Sequence, residues 1–130
     1  MKVIFACVHN AGRSQMAAAF YNKLAGGGAL SAGTQPGDHV HPEVVLAMKE
    51  EGINLSIKKP QHLTMQLADQ ADLLVTMGCG ESCPFVAGLA RQDWQLTDPK
   101  GKSLEEVRQI RDEIKQKVLE LIGSHLSITR

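Results

Sequence analysis

Aromatic residues are scarce: one Trp, one Tyr and three Phe make up 4% of the 130 residues. A cleft walled by aromatic rings, of the kind that grips an aryl group, has little to be built from. Net charge is missing too, because 14 Lys and Arg stand against 14 Asp and Glu. Without a positive excess, no nucleic-acid partner is expected. Long apolar runs are absent at the start of the chain, where Met1-Lys2-Val3-Ile4-Phe5 reaches a polar loop by His9. That run is too short for a signal peptide or a membrane span, so no membrane association and a cytoplasmic location are expected. Cysteine is rare, with Cys7, Cys79 and Cys83 alone. An odd, small number in a reducing compartment reads as catalytic, redox-active or metal-binding before it reads as structural.

What remains is the composition of a globular protein, 43% apolar and 22% charged. A chain of this length can bury one core without disulfides or metals, and one domain over residues 1–130 is expected, with no repeat or linker. A monomer is expected. Val3 to Ala6 reads as a strand and Arg13 to Ala25 as a helix that stops at Gly26-Gly27-Gly28. Ala29 to Ala32 reads as a second strand, with a helix from Pro42 to Gly52 after it. Thr64 to Gln70 is a short helical segment, and Asp72 to Met77 carries the continuous apolar pattern of a strand buried on both faces. Gln92 to Leu96 is a candidate edge strand. Ser103-Leu104-Glu105-Glu106 has capping-box spacing and begins a long helix predicted to end near Gly123, with Val107, Ile110, Ile114, Val118 and Leu121 as its buried stripe. Alternating strands and helices imply an α/β fold of three layers, a four-stranded parallel sheet with helices on both faces and a ligand site at the carboxyl ends of the strands. Cys7 follows the first strand and Cys79 the third. If those strands are neighbours, their ends lie about 5 Å apart and the two cysteines can meet.

The segment Cys7-Val8-His9-Asn10-Ala11-Gly12-Arg13-Ser14 leaves a strand and enters a helix. A loop of this length can curl its backbone N–H groups inward, and the helix start adds the positive end of its dipole, which together suit a tetrahedral oxyanion. Val8 to Ser14 are the candidate oxyanion-binding residues. Arg13 adds a fork of donors for two anion oxygens, its charge favours the thiolate of Cys7, and Ser14 can donate a hydrogen bond to that sulfur. Asn10 reads as a loop-shaping residue, since Asn tolerates left-handed backbone. A buried structural cysteine beside an ordinary helix arginine is the bland alternative.

This loop resembles that of the low-molecular-weight protein tyrosine phosphatases and, more closely, of the arsenate reductases that share their fold. Ser31-Ala32-Gly33-Thr34, the His41-Pro42 helix start, Met48 to Ile53, Leu74-Val75-Thr76-Met77 and Asp93-Trp94 through Asp98-Pro99 carry the resemblance along nearly the whole chain. It implies a low-molecular-weight phosphatase-like fold and a general acid at Asp98, which by its residues alone is ordinary turn chemistry before a proline. Ala18 stands where thioredoxin-linked relatives carry a glutamate that helps bind potassium, which argues against a potassium site. Cys79 and Cys83 are closer together than in those relatives.

Phosphate and arsenate share shape and charge, so the second chemical step separates a phosphatase from a reductase. A phosphatase needs one cysteine and a water molecule. A reductase needs a second thiolate, and Cys79 is the expected attacker, with Cys83 resolving to a Cys79–Cys83 disulfide. The catalytic residues expected are Cys7, Arg13, Cys79, Cys83 and Asp98. The reaction expected is reduction of arsenate, with phosphate or sulfate competing. Electrons are expected from an external thiol reductant, thioredoxin or glutaredoxin with glutathione, and no bound cofactor or metal is expected. Zinc held by Cys79 and Cys83 with Cys7 or His9 is disfavoured by their spacing. A tyrosine phosphatase would need the missing aromatic residues, and a cysteine phosphocarrier would not need Arg13 or the cysteine pair. His39, His41, His62 and His125 read as solvated, and Trp94 as core or rim.

Overall fold

In the computed structural model, residues 1–78 and 86–129 are described, with side chains through Ser124. Strand β1 (Val3–Cys7) is buried along its whole length, and the reason is its position at the centre of the sheet. The strands β2 (Ala29–Gly33), β3 (Leu73–Thr76) and β4 (Ala90–Asp93) complete a parallel sheet in the order β2-β1-β3-β4. β1 and β3 are therefore neighbours, as the cysteine argument required.

Alternate side chains of the central strands go to opposite faces. Val3, Phe5, Cys7, Leu73, Val75 and Met77 join the larger cluster with residues of α1 (Arg13–Ala25), α2 (Pro42–Lys49) and α4 (Leu104–Thr129). Ile4, Ala6, Ala32, Leu63 and Leu74 form a smaller cluster on the other face, covered by the one-turn helix α3 (Met65–Ala68) through Leu67. The fold is thus the expected three-layer α/β arrangement, with most of its core on one side.

Local signals hold at several helix starts. Thr64 caps α3 by accepting from Leu67 N–H at 3.1 Å. Ser103 and Glu106 exchange the two bonds of a capping box, at 3.2 and 3.3 Å, ahead of α4. The stripe Val107, Ile110, Ile114, Val118 and Leu121 is buried.

Three boundaries differ from the sequence reading. The edge strand is Ala90–Asp93, not Gln92–Leu96. Its ladder ends with the pair Thr76–Asp93 because β3 ends there. Trp94, an apolar signal that drew the expected strand too far along, packs instead on Phe5, ring centroids 5.7 Å apart. α4 continues through Gly123 to Thr129; one glycine in a helix costs only about 1 kcal/mol and no proline follows it. α2 stops at Lys49, and Gly52 lies in a turn at φ +76° just beyond.

Candidate active site

The loop between β1 and α1 is held by its carbonyls. Cys7 O accepts from Thr34 N–H at 3.2 Å, Val8 O from Gln35 at 2.7 Å, His9 O from Gly37 at 2.9 Å and Ala11 O from His41 at 2.9 Å. Asn10 O accepts from the Gln15 side chain at 3.1 Å. With five successive carbonyls tied to the surrounding structure and no cis peptide bond among the described residues, each trans peptide unit turns its N–H to the opposite side. At Gly12 the loop becomes the N-cap of α1, with no side-chain cap on that helix start. The result is a set of backbone donors that an anion can satisfy.

The glycine opposite the loop is required by a close approach. A Cβ on Gly33 would lie 2.6 Å from Val8 O and 2.9 Å from Asn10 N. Gly12 faces the other wall: a Cβ there would meet Pro99 Cγ at 2.6 Å, with the His41 ring at 3.6 Å.

Cys7 lies at the centre of this loop, 2% exposed and unpaired. Its Sγ is 2.9 Å from Ser14 Oγ and accepts from Asn10 N–H at 3.3 Å. The neighbours of Ser14 bear on the direction of the first bond. Asn10 Oδ1 accepts from Gln61 N–H at 2.9 Å, which identifies it as the oxygen of the amide. Its Nδ2 therefore donates to Ser14 Oγ at 2.7 Å, which leaves the Ser14 hydroxyl proton available for the Cys7 sulfur. Asn10 stands at φ +52°, the left-handed conformation expected of it.

Arg13 is 9% exposed and lies against Gly78, where a Cβ would be 2.6 Å from Nη1. It donates to Leu96 O at 3.2 Å, and its Nη2 is 3.8 Å from Asp98 Oδ2. Asp98 is about half exposed and also accepts from Lys100 N–H at 3.0 Å. Cys7, Arg13, Ser14 and Asp98 thus converge on one end of the sheet. Cys79 and Cys83 lie outside the described residues.

His41 is half-buried rather than solvated. It sits over Gly12, and burial lowers its pKa from the usual imidazole value against the opposing charge of Asp98. Gln15 and Gln61, absent from the sequence reading, hold Asn10 from behind. Gln15 had one available signal, a polar residue next to Arg13-Ser14 at a buried helix start; Gln61 had none. Ala18 is buried and lines a polar cavity of about 130 Å³ with Gln15, Lys58, Lys59 and Gln61. Among the described residues no group of three or more His, Cys, Asp or Glu is arranged to hold a metal. No helix among them is long and apolar enough to cross a membrane.

Sheet order and loop geometry define a class: α/β proteins that surround a cysteine sulfur with backbone donors where the first strand gives way to the first helix. The chain belongs to the low molecular weight phosphotyrosine protein phosphatase family, whose model matches residues 2–129. Within that family it is similar to arsenate reductases. It is 41% identical over 124 residues to a putative arsenate reductase of Halobacterium salinarum, covering 90% of this chain and 87% of that one. It is 37% identical over 127 residues to the glutaredoxin arsenate reductase of a Synechocystis species, covering 94% and 96%. The solved thioredoxin-dependent arsenate reductase of Corynebacterium glutamicum superposes with a TM-score of 0.83 at 37% identity, over 99% of this chain and 63% of that longer one.

Proposed function

We propose that this chain is a cytoplasmic arsenate reductase in which Cys7 is the nucleophile. The observation that carries the reading is the outward anchoring of the carbonyls from Cys7 to Ala11 around a buried, hydrogen-bonded sulfur. Arsenate occupies the N–H groups of residues 8–14 and the Arg13 fork. The Cys7 thiolate attacks arsenic, and the departing oxygen takes a proton from Asp98 and leaves as water. The Cys79 thiolate then attacks Cys7 Sγ. The sulfur–arsenic bond breaks, arsenic departs as arsenite with the bonding electron pair, and a Cys7–Cys79 disulfide forms. Cys83 attacks Cys79, releases Cys7 as thiolate and leaves a Cys79–Cys83 disulfide. A thioredoxin-type or glutaredoxin/glutathione donor returns this to two thiols. Support for a reductase over a phosphatase comes from the similarity to arsenate reductases and from the burial of Trp94 against Phe5, which removes the one Trp from use as a platform for an aryl substrate.

The test is NADPH consumption by the purified protein with arsenate, comparing thioredoxin plus its reductase with glutathione plus glutaredoxin. Arsenate-dependent consumption in one system establishes the activity and identifies the donor. Consumption in neither, together with hydrolysis of an aryl phosphate, would replace the reductase reading with a phosphatase. Cys83→Ser should allow about one turnover and trap a Cys7–Cys79 disulfide, detectable by peptide mass.

A further inference from the structure

We propose that Gln15 is a positioning residue that fixes the direction of the hydrogen-bond chain ending at the Cys7 sulfur. Gln15 is 5% exposed, and its Nε2 faces three oxygens: Asn10 O at 3.1 Å, Asn10 Oδ1 at 3.1 Å and Lys59 O at 3.5 Å. An oxygen in that place would meet oxygens alone, so the amide has one workable orientation. Asn10 O is also the one carbonyl from Cys7 to Ala11 that, among the described residues, is held by a side chain; the others are held by backbone N–H groups. One donor therefore does two things at Asn10. It anchors the peptide oxygen of the residue in left-handed conformation, and it reinforces Oδ1 as the acceptor of the side-chain amide.

The consequence runs through Asn10 to the sulfur. With Oδ1 fixed toward Gln15 and Gln61, Nδ2 donates to Ser14 and the Ser14 hydroxyl proton is left for Cys7. If Asn10 turned over, its oxygen would accept the Ser14 proton and the sulfur would lose that donor. Gln61 N–H alone opposes such a turn with one bond; Gln15 adds the second. Charged and titratable groups around the loop and Gln15 are Arg13 of α1, Asp98 before α4, His9 in the loop, His41 at the start of α2, and Lys58 and Lys59 along the cavity beside Gln15. None of them is altered in the test below.

This inference rests on Cys7 as the nucleophile, and its test requires neither arsenate nor a reductant. The full chain carrying Cys79→Ser and Cys83→Ser keeps Cys7 as its remaining cysteine. Its rate of alkylation by iodoacetamide is measured from pH 5 to 9. Ser14→Ala sets the limit for losing the donor to sulfur. Gln15→Met keeps the length without a donor and leaves less room than alanine for a replacement water beside the cavity. Gln15→Glu keeps the shape, but once ionised it has no proton for the three oxygens. Both variants should move the midpoint of the profile upward, in the same sense as Ser14→Ala, with alkylation at pH 7 roughly fivefold to tenfold slower, one pH unit corresponding to tenfold. Folded variants whose midpoints coincide with the parent, or an unmoved midpoint in Ser14→Ala, would overturn the proposal. Loss of folding in both Gln15 variants would overturn it too, by assigning the residue to the scaffold alone. An unmoved profile in an enzyme that reduces arsenate removes the relay and leaves the reductase reading. A shifted profile in one that does not reduce arsenate does the reverse.

Discussion

The two walls of the site are built differently. The loop from Cys7 to Ser14 is buried at its sulfur, has its carbonyls fixed one after another and is packed on Gly33 without room for a methyl group. The segment from Trp94 to Lys100 is anchored at one end by Trp94 and then touches the loop through Arg13 and Pro99, while Asp98 remains about half exposed. A group that must stabilise charge on a bound anion gains from being immobile before the anion arrives. A group that hands over a proton needs access to water to be recharged. Arg13 is common to both walls, since it belongs to the loop and its guanidinium reaches Leu96 O and Asp98.

If that contrast is right, the largest loss follows from removing the sulfur. Cys7→Ser should lower the arsenate-dependent rate about 10⁴-fold or more in the coupled assay while leaving the melting temperature near the parent. Arg13→Lys comes next, because it replaces the fork that serves both walls by a single point charge. We expect kcat/KM to fall by about 10²-fold to 10³-fold, and phosphate inhibition to weaken with it. Asp98→Asn changes the exposed wall and reaches the loop only through the Arg13 ion pair. It should reduce kcat by about 10²-fold, keep phosphate inhibition, and change stability by less than about 0.5 kcal/mol in urea unfolding. Loss of phosphate inhibition in Asp98→Asn would mean that the walls are not separable. Gly12→Ala pushes Pro99 off the loop. A stability loss of about 1–3 kcal/mol in urea unfolding is expected, with activity reduced by less than in Asp98→Asn.

The smallest effect lies outside both walls, where Glu50 of the α2–α4 contact binds Arg108 and Arg111, each at 2.7 Å. Hydrogen bonds from those arginines hold the Glu50 carboxyl at about 2, below its ordinary 4.5. Because the folded value is the lower one, the stabilisation is present above pH 4.5 and is lost as pH falls toward 2. Glu50→Gln should flatten that acid limb of the melting temperature slightly at low salt, and leave the activity at neutral pH alone.

The loop was legible because its parts are successive residues: a cysteine at a strand end, an Asn that tolerates positive φ, and Arg13-Ser14 at a helix start. The capping box at Ser103 and the buried stripe of α4 were legible for the same reason, since each depends on spacings of three and four. The edge strand was misplaced because Ala90 to Asp93 are all exposed and carry no apolar alternation, whereas Trp94 and Leu96 do. Its bounds come from pairing with β3, which no local pattern encodes. His41 read as solvated because what half-buries it, Gly12 and the segment around Asp98, lies far from it in sequence.

By itself the sequence determined the strand–loop–helix that surrounds Cys7, the alternation that makes a parallel sheet, and the absence of the aromatic residues an aryl-binding cleft would use. All of these are consequences of residues near one another in the chain. Only the tertiary structure decided which way the protons point. The hydroxyl of Ser14 is free to donate to Cys7 because a backbone N–H 51 residues beyond Asn10 fixes an amide, and Arg13 joins the two walls because a carbonyl 83 residues away accepts from it. Hydrogen-bond direction depends on every partner at once, and partners at such separations exist only when the chain has folded.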